Sequence, residues 1–156
     1  MNKEDKKLSV SAIENGTVID HIPAQNLFNV ISILGLDRIT ENRVTFGTNF
    51  KSDKLGRKAI IKVADKYFED IDIDKIALIA PHAKLNIIKN YSVVEKREVK
   101  VPAEIKAIAK CMNPKCITNN ENITTKFTVI DKGSSISLKC NYCEKITDQE
   151  HLEIIR

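Results

Sequence analysis

Four cysteines, the only ones in a chain of 156 residues, fall in two pairs near its end. Cys111 and Cys116 bracket Met112-Asn113-Pro114-Lys115, and Cys140 and Cys143 bracket Asn141-Tyr142. Thiolates hold tetrahedral zinc at about 2.3 Å, so each pair must sit on a tight turn that aims two sulfurs at one point. A C-x4-C and a C-x2-C do this, and the intervening stretch is long enough for a strand, a turn and a return strand to bring the turns together. Two disulfides would need an oxidising compartment, whereas residues 1–7, MNKEDKK, are charged and lead into no apolar signal segment. Iron in a rubredoxin-like site has the same ligand count, and spacing does not separate it from zinc. The expectation is one structural Zn2+ per chain. Four sulfurs close its coordination sphere, so no position is open for water or substrate.

Other chemistry is sparse. The histidines His21, His82 and His151 are far apart, the five glycines are scattered, and no G-x-S-x-G, Walker or G-x-G-x-x-G pattern occurs. No catalytic residues are assigned, and the chain is expected not to be an enzyme by itself. Any phosphate bound here would have to be held by side-chain cations. Lys58, Lys62 and Lys96 are candidates, although taken alone a solvated sheet face accounts for them better.

Net charge is +4, a mild value. Residues 103–156 carry eight Lys or Arg against seven Asp or Glu. Four thiolates on one divalent zinc would take that segment to about −1. A nucleic-acid module should show a basic stripe and stacking aromatics, and this segment offers only Phe127 and Tyr142. A zinc-ribbon nucleic-acid-binding adaptor is therefore the alternative reading, with no nucleic acid expected in the preferred one. No apolar run reaches transmembrane length, so no membrane partner is expected and the localisation reads as cytoplasmic.

The pattern of elements supplies the scaffold. Residues 8–13 alternate as a half-buried strand, and residues 17–19 read as a second short strand after the turn at Gly16. Leu27, Val30, Ile31 and Leu34 form the apolar face of a helix that stops at Gly35. Residues 43–46 and 57–63 read as strands around a polar loop at 49–56. A second helix is expected over 72–80, ending before Pro81, and residues 85–89 and 91–101 read as extended. Strand, helix, strand, strand, helix, strand is the ferredoxin-like split βαβ order, with an extra hairpin strand in front. The fold class is thus α+β: an N-terminal ferredoxin-like βαββαβ sandwich over 1–102, then a small all-β zinc-ribbon-like domain over 103–156. Strands at 126–130 and 135–139 flank a turn at Gly133, and a module this small commonly needs a metal.

Gly16-Thr17-Val18-Ile19-Asp20-His21-Ile22-Pro23-Ala24, Gly56-Arg57-Lys58, Asn90-Tyr91-Ser92-Val93-Val94 and the two cysteine pairs together resemble the regulatory chain of aspartate carbamoyltransferase. The resemblance runs along nearly the whole chain. It implies a non-catalytic allosteric subunit of pyrimidine biosynthesis, with a nucleotide-binding domain followed by a zinc domain that docks on a separate catalytic chain. It also implies a regulatory-chain dimer and the effectors CTP, UTP and ATP, the pyrimidine nucleotides inhibiting and ATP activating. By position, Val10, Ala12 and Ile13 would line the pocket for base and ribose, with Asn86, Ile88, Tyr91 and Val93 beside the base. Asp20 would accept from the ribose hydroxyls and Lys62 would reach ribose and base. Lys96, His21 and Lys58 would face the triphosphate. Asn113, Lys115, Tyr142 and Lys145, around the metal turns, would contact the catalytic chain. Without the resemblance, Asp20 reads as a helix cap and the apolar positions as core.

Overall fold

The computed structural model describes residues 12–133 and 135–155. The chain divides into two compact units, Met1–Lys100 and Val101–Arg156.

In the first unit the elements run β1 (Gly16–Pro23), α1 (Leu27–Ile33), β2 (Val44–Ser52), β3 (Gly56–Ala64), α2 (Asp70–Ile79), β4 (Lys84–Lys89) and β5 (Ser92–Glu98). The sheet order is β2-β3-β1-β4-β5, and every neighbouring pair is antiparallel. That is the ferredoxin-like order with β5 added at the edge, where a strand was expected over 91–101. The strand expected over 8–13 lies outside the described residues at 8–11, and Ala12 and Ile13 belong to no strand. The first motif strand is the eight-residue β1, longer than the three residues expected. β2 also continues through the first half of the expected polar loop, because Phe50, Lys51 and Ser52 keep pairing with β3 across a bulge.

Both helices cover one face of this sheet. Ile19, Ile22, Ala59, Ile61, Val63 and Leu85 point from the strands into a core shared with Leu27 and Val30 of α1 and Ile73, Ile76 and Ala77 of α2. α1 ends where Gly35 takes a left-handed conformation, φ 69°, which costs glycine nothing. α2 starts with a capping box between Glu69 and Asp72 and stops before Pro81. One glycine is fixed by close approach: at Gly16, φ is 138° and a Cβ would lie 2.1 Å from the Val63 carbonyl oxygen.

The second unit holds β6 (Glu104–Lys106), β7 (Ala109–Lys110), the one-turn helix α3 (Ile117–Asn120), β8 (Lys126–Asp131), β9 (Ile136–Cys140), β10 (Ile146–Asp148) and β11 (Glu153–Ile154). The order β10-β9-β8-β6 makes one sheet, and β11-β7 makes a second, two-stranded one. Its interior is slight: Phe127, Ile136 and Leu138 are each 1% exposed, beside Ile105 and Ile108. Among the described residues no helix is long and apolar enough to cross a membrane.

Candidate ligand-binding face and metal centre

The second pair of cysteines is built into backbone pairing. Cys140 closes β9, its N–H donates to the Lys145 carbonyl at 3.0 Å, and the Glu144 N–H returns to the Cys140 carbonyl at 2.9 Å. The first pair sits on the loop between β7 and α3. All four Sγ atoms lie within 4.8 Å of one another. Cys111 and Cys143 are 3.6 Å apart and Cys116 and Cys140 3.7 Å apart. Sulfurs at about 2.3 Å from a tetrahedral ion are roughly 3.8 Å apart, whereas a disulfide would draw them to about 2.05 Å. The residues therefore fit a metal ion bound by four thiolates. Burial pushes the Cys111 thiol up to about 12. At Cys143 burial works the same way, but hydrogen bonds from the Asn113 side chain and the Lys145 backbone outweigh it and bring the thiol down to about 6. Thr118 Oγ1 lies 3.2 Å from Cys116 Sγ, and the Tyr142 N–H donates to Cys140 Sγ at 3.4 Å.

In the first unit, the sheet face opposite the helices gathers most of the expected ligand residues. Strand alternation puts Ala59, Ile61 and Val63 inward, so Lys58, Lys62 and Ala64 point outward. Cross-strand register then defines three rows on that face. Ala64, Gly16, Ile88 and Val93 make the first, and Lys62, Val18, Asn86 and Lys96 the second. Asp20, Lys84 and Glu98 make the third. The face thus changes from apolar to charged over about 13 Å, two steps of two residues each.

The segment entering β1 lies against the apolar end. The Tyr91 N–H donates to the Glu14 carbonyl at 2.9 Å, and the Asn90 N–H to Asn15 Oδ1 at 3.2 Å. Asn90 and Tyr91 both have positive φ, 52° and 66°, as a two-residue type I′ hairpin turn requires. These bonds seat Ile13, 4% exposed, on Ala64, Ile88 and Val18. Ala12 beside it is exposed. Val10 lies outside the described residues. The Tyr91 N–H is occupied by Glu14, so it is not offered to a base edge, while its ring is 68% exposed.

At the charged end a β-bulge decides the geometry. Ile19 pairs with Ile61 and Ile22 with Ala59, so Asp20 and His21 together oppose Ile60 alone. His21 takes φ 61°, and both isoleucines reach the core. Asp20 accepts an ion pair from Lys58 Nζ at 3.1 Å and the His21 N–H at 2.6 Å; it is not a helix cap. His21 Nδ1 is buried without a hydrogen-bond partner among the described residues, 3.5 Å from Asp20 Oδ2. Burial lowers the His21 pKa, Asp20 partly opposes this, and Lys58, Lys84 and Lys54 reinforce it. Lys62 is lowered by burial too, again opposed by Asp20. A cavity of about 380 Å³ opens here, lined by His21, Lys54, His82, Lys84 and Glu98 among others.

Sequence reasoning missed Lys54, His82 and Lys84 as cavity residues and Asn15 as the anchor of the entering segment. The spacing of Ile19 and Ile22 carried one usable signal. Two buried residues three apart in a strand require an extra residue between them. Around the metal turns Lys115, Tyr142 and Lys145 are exposed, and half-buried Asn113 accepts the Lys115 N–H on its Oδ1 at 3.1 Å.

The sequence matches two family models. Residues 8–100 match the aspartate carbamoyltransferase regulatory chain, allosteric domain, and residues 103–153 match the metal binding domain of the same chain. Aspartate carbamoyltransferase regulatory chains similar to it include that of Bacteroides fragilis, 56% identical over 99% of this chain and 100% of the relative. That of Phocaeicola vulgatus is 52% identical over 99% of each. The Pyrococcus horikoshii chain is 50% identical over 94% of this chain and 96% of its own. A four-thiolate cluster in the second unit, a sheet face graded from apolar to charged in the first, and family matches along both place this chain in the family of aspartate carbamoyltransferase regulatory chains, regulatory and not catalytic.

Proposed function

We propose that the outer sheet face of the first unit binds nucleoside triphosphates and that the second unit, stapled by zinc, docks on a catalytic chain. The observation that carries the first half is the gradient of this face from apolar to charged. Val93, 47% exposed, and Ala12 offer an apolar edge for a base, backed by the packed Ile13 and Ile88. Asn86 and Lys62 stand where a ribose would follow, with Asp20 as hydroxyl acceptor. Lys96, Lys58 and His21 supply cations and donors for phosphates. CTP, UTP and ATP share ribose and triphosphate, so they compete for one site. They alter activity only through unequal affinity for two states of the assembly, a coupling of typically about 1–3 kcal/mol.

Zinc is favoured over iron by its prevalence in closed four-cysteine structural sites, and reduced, free thiols suit a cytoplasmic setting. The ion works at a distance, by holding the turns that carry Asn113, Lys115, Tyr142 and Lys145. Met112, Ile117 and Tyr142 are 42–48% exposed at the same turns and would be covered by the partner. Pairing of two regulatory chains completes the assembly. The near-neutral metal unit gives the nucleic-acid alternative no basic stripe to stand on.

Calorimetric titration of the metal-loaded chain with CTP and with ATP tests the nucleotide site, with Lys62→Ala as control. Saturable, mutually competitive binding lost in the variant is expected. No binding of either nucleotide would leave only the docking role.

A further inference from the structure

The two halves of the metal site are held by different means. The Cys140–Cys143 turn is part of the β9–β10 hairpin. The Cys111–Cys116 loop lies outside the strands, and two adjacent side chains of α3 gather its carbonyls. Asn119 Nδ2 donates to the carbonyls of Cys111 and Asn113, both at 2.8 Å. Asn120 Nδ2 donates to those of Pro114 at 3.0 Å and Cys116 at 2.8 Å. Each amide NH2 has two hydrogens, so both are fully used, and the four carbonyls span the whole C-x4-C segment. The Thr118 hydroxyl beside Cys116 Sγ extends this support to the sulfur.

We propose that Asn119 and Asn120 are positioning residues that keep the first cysteine turn in metal-holding shape, and that they set the rate at which metal leaves. Loss begins at this turn, because apart from one backbone turn bond, from the Cys116 N–H to the Asn113 carbonyl at 3.0 Å, opening it breaks side-chain bonds, whereas opening the other breaks a backbone ladder. The inference rests on the four-thiolate site, whichever metal fills it.

The test measures metal transfer from the full chain to a chromophoric chelator, after elemental analysis of the parent. A parent that binds no metal would sink the metal reading itself, which keeps the two failures distinct. Asn119→Ala and Asn120→Ala should each release metal about 10- to 100-fold faster, as losses of outer-shell support do. Asn119→Asp keeps the shape but removes the donors and sets a carboxylate against two carbonyls, so it should release at least as fast as Asn119→Ala. Asn122→Ala, an exposed position just past α3, should match the parent. Cobalt-loaded variants should keep the parent's four-thiolate absorption, which shows that rate has changed and not ligand set. Release within twofold of the parent in both alanine variants would overturn the proposal. So would an Asn119→Asp chain that behaves like the parent, since side-chain shape would then suffice. If Asn119→Ala does not fold, Asn120→Ala decides; loss of the cobalt spectrum in both would also overturn it, because the amides would then be needed for the site to form.

Discussion

Gly16→Ala probes the link between sheet packing and the ligand face. Gly16 lies between Ala64 of β3 and Ile88 of β4, at the apolar end of the face. A Cβ there would meet the Val63 carbonyl oxygen at 2.1 Å, the Asp65 nitrogen at 3.0 Å and the Ala64 Cα at 3.1 Å. All three are backbone atoms, so no side-chain rotation can relieve the contact. β1 must move away from β3 by about an ångström. That movement weakens one or two ladder bonds, each contributing about 1 kcal/mol, and alanine at φ 138° adds strain of about 1–3 kcal/mol. The sum is roughly 2–5 kcal/mol. At about 4–8 °C per kcal/mol for a domain of this size, the first unit should melt at least about 8 °C lower. The same movement shifts the bond from the Asp65 N–H to the Asn15 carbonyl and loosens the segment that seats Ile13. Thermal unfolding followed by circular dichroism reads the stability, and chelator-resistant metal in the second unit serves as internal control. A melting point within about 2 °C of the parent would refute the packing argument.

Three further outcomes are expected. Ile13→Ser should cost the first unit about 1.5–3 kcal/mol, the worth of one buried isoleucine side chain, and weaken CTP binding by roughly tenfold in calorimetry because the support under the apolar end is lost; unchanged affinity would separate Ile13 from the ligand face. His21, lowered by burial from its ordinary 6.5, binds fewer protons folded than unfolded. Its contribution to stability is therefore complete above pH 6.5 and lost as pH falls through the depressed folded value. Denaturant midpoints between pH 7.5 and 5 should fall less steeply in His21→Gln, and identical slopes would count against it. Phe127→Ala removes a ring that is 1% exposed from a unit with few other large core residues. A loss of about 3–5 kcal/mol should leave that unit folded only when metal-loaded, visible as chelator-triggered loss of its amide protection in hydrogen exchange. Protection that survives chelation would contradict this.

The sequence carried more of the metal centre than of the ligand face. C-x4-C and C-x2-C spacings are local, and a turn within three or four residues aims each pair of sulfurs whatever the rest of the chain does. The two helices were legible for the same reason: the apolar spacing of Leu27, Val30, Ile31 and Leu34, with Gly35 and Pro81 as stops, is a short-range signal. Strand order was legible only through topology, and its errors were at the edges. The first motif strand, expected over only 17–19, runs from Gly16 to Pro23. The polarity of residues 49–52 suggested a loop, but pairing with β3 overrides composition at a sheet edge.

The order of the three rows on the outer face depends on register across four strands, and no local pattern encodes it. Lys62, Asn86 and Lys96 come from three strands and meet only because each pairs in one register. The bulge at Asp20–His21, the seating of Ile13 by Asn15 and Tyr91, and the cavity beside Lys54, His82 and Lys84 are likewise long-range outcomes. By itself the sequence determined the ligand types, the helices, their stops and the family, because these depend on residue identity and short spacing. Only the tertiary structure decided which cations share a face and which amides grip the metal loop. Those depend on contacts between segments far apart in the chain, or on side-chain directions that spacing leaves open.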